Sequence, residues 1–306
     1  MKTYYGFDDI KIIEKTSIMI GKFDGVHLGH RLLLDKLMEE KAKGHKSVVI
    51  TFDVPPNSLK NNTSVKMLTP NDEKKALFER YGVDFLIICP FTKEVMGMHP
   101  KEFLELLFNK MNIKSIICGS DFCFGHNRAG NTAYLDKVSK DFGFRLFVVD
   151  KLISDGVEIS STLIRSLLKE GKIEKANELL GYKYSVSGKV SSGNQIGRTI
   201  GFPTVNVILD ENKLAPKYGV YSSEITVDGK TYKGISNIGV KPTVNKNGNN
   251  DEQCSLEMNI FEFNDYIYEK DVVVYLNRYI REERKFESID ELKKQIAVDI
   301  SSVKEH

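Results

Sequence analysis

Apolar residues follow two textures along this chain, and the change comes near residue 160. In the first part, Ser17–Ile20, Ser47–Phe52, Asp84–Cys89, Ser115–Cys118 and Phe144–Val149 are short runs rich in Ile, Val and Phe. Such runs are too short for helices and read as buried strands. Between them, apolar positions recur every three or four residues: Leu32, Leu33 and Leu37; Leu77, Phe78 and Tyr81; Phe103, Leu104, Leu107 and Met111. That spacing predicts helices, the second of them starting at Thr69-Pro70 with proline in its first position. Strand–helix alternation predicts an α/β doubly wound parallel sheet with helices on both faces. Sheets of this kind bind ligands beyond the carboxyl ends of their strands. Two loops there are unusual: GKFDGVHLGH (residues 21–30) and GSDFCFGHNRAGN (residues 119–131).

From Ser161 to Leu180 the pattern predicts two helices, with Gly171 as a break and Gly181 as a stop. After Tyr184 the strands turn short, alternating and turn-punctuated. Asp228-Gly229 marks a tight hairpin. Leu256, Met258 and Ile260 share one face of a strand over Cys254–Phe263, and Val272–Leu276 is another strand. A last helix carries Ile289, Leu292, Ile296, Ile300 and Val303, opened by the capping-box pair Ser288 and Glu291. This half reads as an antiparallel β-barrel with a terminal helix. The domains are expected at 1–182 and 183–306. There are no internal repeats, and NKNGNN (residues 245–250) reads as an exposed loop.

Composition narrows the function classes. A chain of 306 residues with 41% hydrophobic and 28% charged residues suits two globular domains with real cores. The formal net charge of +2 gives no bulk attraction to nucleic acid or a membrane surface. Cys89, Cys118, Cys123 and Cys254 form no C-x-x-C pair and read as free thiols in a reducing compartment. The first residues, MKTYYGFDDIKIIEK, lack the apolar core of a signal peptide, and no apolar stretch approaches a membrane span. The expectation is a soluble, cytoplasmic protein.

In GKFDGVHLGH the strand ends in a glycine-containing turn and a helix opens near His27. His27 and His30 are three apart and share one face of the first turn. Gly29 removes a side chain where a ligand would approach the backbone. Free N–H groups and the positive end of the helix favour phosphate there, and two imidazoles add donors for charge developing at an α-phosphate. Taken alone, H-x-G-H serves equally well to cap or pack the helix. The whole string resembles the nucleotidyltransferase signature in the variant of bacterial FAD synthetases, in which Gly21, Phe23 and Gly25 belong to the nucleotide-binding loop. GSDFCFGHNRAGN resembles that family's nucleotide and flavin loop, with Asp121 and Arg128 in it. ISSTLIR (residues 159–165) resembles its S-S-T-x-I-R element, in which Ser160, Ser161, Thr162 and Arg165 approach ATP phosphates. Two positions depart from the family pattern: Pro55 stands for a usual histidine and Leu163 for a frequent arginine.

Residues 197–206, GRTIGFPTVN, form the second constellation. Thr204 and Asn206 are two apart on one strand face, and their oxygens suit a magnesium ion that keeps its waters. Gly197 and Gly201 would let the backbone approach phosphates. As a bare pattern, P-T-x-N serves equally as a strand-edge turn. The string resembles the riboflavin kinase signature, and GVYSS (219–223), NIGVKPT (237–243), SLEMNIFEF (255–263) and the segment 280–299 follow in that family's order. The resemblance implies Glu257 as general base, with Asn259 standing where a histidine is common.

The function so implied is bifunctional. Riboflavin is phosphorylated to FMN with Mg2+ and ATP, and FMN is adenylylated to FAD with release of pyrophosphate. ATP, riboflavin and FMN are partners, with neither nucleic acid nor membrane. Two readings compete with it. One is an adenylyl- or cytidylyltransferase for another phosphorylated alcohol; the other is a flavin-binding regulator with weakened catalysis.

Overall fold

A computed structural model describes the chain except residues 54–64, 192–201, 245–249, 264 and 305–306; for 241–244 and 250–252 it describes the backbone alone. Pro55, Gly197, Gly201 and the greater part of the NKNGNN segment lie outside the described residues. The described chain forms two compact units, Met1–Ser161 and Thr162–His306.

In the first unit the short apolar runs do become strands, but the last, over Arg145–Val149, lies at the sheet edge and is part-exposed rather than buried. The elements are β1 (Lys2–Tyr5), β2 (Ile12–Ile20), α1 (Leu28–Ala42), β3 (Lys46–Phe52), α2 (Asn71–Arg80), β4 (Phe85–Cys89), α3 (Lys93–Gly97), α4 (Pro100–Lys110) and β5 (Met111–Gly119). They continue with the two-residue β6 (Cys123–Phe124) and β7 (Gly130–Asn131), α5 (Thr132–Phe142), β8 (Arg145–Val149) and the small ladder of β9 (Ile153–Ser154) and β10 (Val157–Glu158). Six parallel strands run in the order β1-β4-β3-β2-β5-β8. From β2 the chain steps outward through β3 to β4, then returns to the other side of β2 for β5 and β8. The direction reverses between β2 and β5, which creates a crevice at their carboxyl ends. The loops leaving those two strands are the two unusual ones.

Alternation along β2–β5 divides the core. Ile18, Ile20 and Ile116 pack with Phe103, Leu104 and Leu107 of α4 on one face. Met19, Val49 and Ile117 pack with Leu34, Leu37 and Phe78 from α1 and α2 on the other. Three local expectations change. Pro70 is the residue before α2 rather than its first. Met111, spaced as a continuation of the α4 stripe, begins β5 instead, because its backbone is taken up by pairing with Ile12. Strand β1, too polar to stand out, is held at the sheet edge by β4.

The second unit opens with α6 (Ser161–Glu170), whose first residue still belongs to the first unit, and α7 (Ile173–Leu180). Gly181, at φ 75°, ends α7 in the left-handed conformation that glycine adopts without strain. Strands β11 (Ser185–Ser191), β12 (Thr204–Ile208), β13 (Gly219–Val227), β14 (Lys230–Val244), β15 (Asn250–Ile260) and β16 (Asp271–Arg281) close an antiparallel barrel in the order β11-β12-β15-β14-β13-β16. Both helices are tied to it. The Lys217 amide donates to the Leu168 carbonyl at 2.8 Å, and Asn177 Nδ2 donates to the Leu276 carbonyl at 2.8 Å. Asp228 and Gly229, at φ 50° and 79°, make the expected tight hairpin.

Helix α8 (Ile289–Lys304) ends the chain. Half of its capping box forms: Ser288 Oγ accepts from the Glu291 amide at 3.2 Å, while the Glu291 carboxylate turns to the Glu287 amide. No helix among the described residues is long and apolar enough to cross a membrane.

Candidate functional site

The loop after β2 is held in an unusual backbone path. Phe23 and Val26 have φ of 45° and 38°, a region that side chains other than glycine enter only under strain, and both are buried. Packing over-determines the turn. Phe23 lies edge-on to both Phe78 and His30, and a Cβ on Gly21 would come within 2.8 Å of the Phe23 ring. Hydrogen bonds pin the rest. Asp24 Oδ1 accepts from the Leu68 amide at 2.8 Å, and the Gly25 amide donates to Thr69 Oγ1 at 2.9 Å. Ser161 Oγ donates to the Asp24 carbonyl at 2.8 Å, so the serine-rich segment and the first motif loop meet.

His27 is the N-cap of α1, and its extended backbone (φ −68°, ψ 174°) aims its ring back over the first turn. Its imidazole stacks on His30 with centroids 3.8 Å apart and planes 20° from parallel. The stack leaves little room beside Gly29, where a Cβ would sit 3.1 Å from His27 Nδ1. Burial pushes the His27 imidazole down to about 4, against the opposing pull of Asp24 and Glu158. His30 is pushed well below the ordinary histidine range, first by burial, then by His27 and Lys74. Each Nδ1 is sealed from solvent, with no hydrogen-bond partner among the described residues. A lone pair left unmet in a protein interior costs less than an unmet N–H. Both neutral rings therefore carry their proton on Nε2. The arrangement is a pair of neutral N–H donors at a helix N-terminus, suited to phosphoryl oxygens.

The loop after β5 lies at the neighbouring strand end. Gly125, at φ 71°, lets it fold against Pro100, and Phe122 stacks on Phe124. Asp121 pairs with Lys151 at 3.2 Å, and Lys151 also holds Glu158 at 2.8 Å. Exposed Arg128 directs Nη2 toward Cys123 Sγ at 3.5 Å. Ser160 is half-buried just before α6, whose first turns carry Thr162 and Arg165. Burial pushes the Cys89 and Cys118 thiols up to about 12, and the four cysteines are free.

Sequence patterns alone do not point to one further residue of this region. Lys74 of α2 is 2% exposed, and its Nζ donates to Thr51 Oγ1 at 3.5 Å. Burial lowers its ammonium to about 8, against Asp24 and Asp53. Its signal in the sequence is spacing: Lys74 stands four residues before Phe78, on the apolar stripe of α2.

In the second unit, Glu257 of β15 is flanked on both sides by amides. Its register partner on β12 is Asn206 and on β14 is Asn237. Leu256 and Met258 point the other way, into the barrel, and are fully buried. Thr204 shares the Asn206 face and lies opposite Asn259. Asn237 Nδ2 donates to Glu283 Oε1 at 2.8 Å, and Glu283 lies so close over Gly239 that a Cβ there would collide with it. Asn259 acts as a structural tie, because its Nδ2 donates to the Pro203 carbonyl at 2.8 Å and fixes the start of β12 beside Thr204. Among the described residues no group of three or more His, Cys, Asp or Glu could cage a metal. Thr204 and Asn206 offer hard oxygen donors beside one carboxylate, which fits a Mg2+ that retains waters and is held mainly by phosphates.

The chain matches two family models, FAD synthetase over residues 9–163 and riboflavin kinase over residues 180–306. It is 37% identical to the bifunctional riboflavin kinase/FMN adenylyltransferase of Buchnera aphidicola subsp. Schizaphis graminum, covering 100% of this chain and 99% of the relative. With the protein of the same description from Escherichia coli K12 it shares 36% identity over 94% of this chain and 91% of the relative. A crystal structure described as a macrolide-efflux protein from Streptococcus pneumoniae superposes with a TM-score of 0.87, at 28% identity over 99% of both chains. The motif order, the two folds and the full-length relatives agree: this chain belongs to the family of bifunctional riboflavin kinase/FMN adenylyltransferases.

Proposed function

We infer that this chain converts riboflavin to FMN and FMN to FAD, consuming one ATP at each step, with the two reactions at separate sites. The stacked His27–His30 pair at the sheet's switch point carries the inference for the second reaction. A phosphate monoester of FMN is already an anion at neutral pH, so its oxygen attacks the α-phosphorus of ATP without a base. The bond to the β-phosphate bridging oxygen breaks and pyrophosphate leaves. What the protein must supply is position and hydrogen bonds to the charge that builds on the α-phosphoryl oxygens. Two neutral Nε2–H donors beside a helix N-terminus do this without bringing a bulky cation into the cleft.

Gly21, Phe23 and Gly25 shape the loop that would receive the nucleotide. Asp121, Arg128, Ser160, Ser161, Thr162 and Arg165 are assigned to nucleotide and flavin binding on the resemblance of their motifs. We place the adenylylating activity in residues 1–182 and the kinase in 183–306. Segment 162–182 goes with the first activity because it carries Thr162 and Arg165.

The kinase step needs a base, because the riboflavin 5′-hydroxyl is neutral. Glu257 would accept its proton as the oxygen attacks the γ-phosphorus, and ADP leaves. Thr204 and Asn206 would hold Mg2+, which neutralises phosphate charge. Gly197 and Gly201 keep their assignment to nucleotide binding from the signature alone. Full-length family membership does not favour the alternative of a flavin-binding regulator with weakened catalysis.

The test is to incubate the intact protein with riboflavin, Mg2+ and ATP and to separate the flavins. FMN and then FAD, with pyrophosphate, are expected. Formation of neither would refute the reading.

A further inference from the structure

Between β16 and α8 the chain crosses the barrel as a strap of charged side chains, residues 282–288. The strap is fastened on both sides of Glu283. At its root Arg281 forks onto buried Asp299 of α8, with Nε 3.1 Å from both oxygens and Nη2 at 2.7 Å. Glu282 pairs with Lys217 at 2.9 Å. Further on, the guanidiniums of Arg281 and Arg284 lie over the Phe286 ring, 5.9 and 4.6 Å from its centre. The Glu291 carboxylate accepts from Arg284 at 3.3 Å and from the Glu287 amide at 3.2 Å.

Glu283 is an exposed residue, yet its carboxylate is directed. Asn237 Nδ2 donates to its Oε1 at 2.8 Å. An independent observation comes two residues along β14, where a side chain on Gly239 would collide with the same carboxylate. Positions 237 and 239 point to one side of the strand, and the β14–β15 register runs through them without a shift. Glu283 therefore lies over the face that carries Asn237. Residues directly opposite in an antiparallel ladder share a face, with Cβ atoms about 5 Å apart. Asn237 is so paired with Glu257, and Glu257 with Asn206. The result is a row across three strands, Asn206–Glu257–Asn237, with Glu283 closing its end.

A second carboxylate at the end of this row works against a polyphosphate substrate, so electrostatics alone gives no reason for it. Hydrogen bonding does. A side-chain amide can turn over, exchanging oxygen and nitrogen with little change of shape, whereas an ionised carboxylate only accepts. Glu283 thus selects the orientation in which the Asn237 nitrogen faces the strap. An amide free to turn over would offer its neighbour donor and acceptor by turns, and the neighbour here is Glu257.

We propose that Glu283 is a positioning residue for riboflavin phosphorylation, which fixes the Asn237 amide and through it the carboxylate of Glu257. This rests on the reading of Glu257 as the general base. Gly239 belongs to the same device, because the missing side chain leaves the strap's carboxylate room beside the amide.

The test uses the full chain. Glu283→Ala should lower kcat for FMN formation roughly tenfold, the size of one lost hydrogen bond to a charged group. KM for riboflavin and ATP should stay the same, because the interaction serves the transfer step rather than binding. FMN-to-FAD conversion should not change. Asn237→Ala should be as damaging, and adding Glu283→Ala to it should do nothing more, since the pair acts as one unit. Additive losses overturn the proposal. So does a loss carried by KM for riboflavin, which would make Glu283 a substrate contact. Glu283→Gln keeps an acceptor oxygen at the same reach and should recover most of the rate; a loss equal to that of Glu283→Ala defeats the assignment.

Should Glu283→Ala fail to fold, NMR of the Asn237 side-chain amide in the unaltered protein decides. Protection of its protons from exchange is expected, and free exchange overturns the proposal. A protein that forms no FMN refutes the functional reading, and the amide signal still judges whether Glu283 holds Asn237. Undiminished FMN formation by Glu283→Ala refutes the proposal alone.

Discussion

The switch point of the sheet and the polar strand face of the barrel are the two places proposed to meet a nucleotide phosphate, and they are built on opposite principles. At the switch point the working groups are a stacked imidazole pair with sealed Nδ1 atoms, on a strained loop packed between β2, α1 and α2. On the barrel, Glu257 stands between Asn206 and Asn237 on adjacent strands, with regular ladder pairing on both sides. The difference follows from the nucleophile. An anionic phosphate needs no proton removed, so the protein needs neutral donors, and burial is what makes histidine neutral. A hydroxyl does need its proton removed, so a carboxylate is proposed there, between the register partners Asn206 and Asn237.

Three outcomes would break or sharpen that contrast. The largest effect is expected from His27→Ala with His30→Ala. Loss of one preorganised donor is worth roughly 10²–10³-fold, so the pair should lower FAD formation by about 10⁴-fold while FMN accumulates. Unchanged FAD output from FMN would make the stack merely structural.

Next comes Glu257→Gln, which keeps the shape and removes the base. FMN formation should fall by roughly 10²–10⁴-fold with FMN-to-FAD conversion intact. Equal loss of both steps would show that the two sites are not independent.

The smallest effect is on stability. Folded His27 is held at about 4 against 6.5 unfolded. Between those values the unfolded chain binds a proton that the folded one refuses. Stability is therefore fully present above about pH 6.5 and drains as pH falls towards 4, by about 3 kcal/mol for this group. His30 and His45 are shifted the same way, mainly by burial. After residue 126 the sequence has histidine only at position 306. Calorimetry from pH 7 to 4 should thus show the first unit's transition dropping through this window. A barrel transition falling equally would contradict the assignment of acid sensitivity to the buried imidazoles.

The sequence alone determined most of the framework. Runs of apolar, largely β-branched residues marked β2, β3, β4 and β5, because a strand buried on both faces has no polar positions to spare, and marked the part-exposed edge strand β8 as well. Period-two alternation put Glu257 opposite Leu256 and Met258. The i, i+3 spacing put His27 and His30 on one helical face. These are local rules, legible wherever the backbone period is fixed by the chain itself.

Tertiary structure decided the rest. Met111 fits a helix stripe and becomes a strand residue because β2 offers a ladder partner. Asn259 departs from its family pattern yet anchors Pro203, a contact between residues 56 positions apart. Lys74 lies in the polar run N-D-E-K-K, and only the packing of α2 in the folded unit buries it. The protonation state of the histidine stack belongs here too. Desolvation depends on what surrounds a ring, and the groups around this stack come from the loop after β2, α1, α2 and β10, segments that no local pattern brings together.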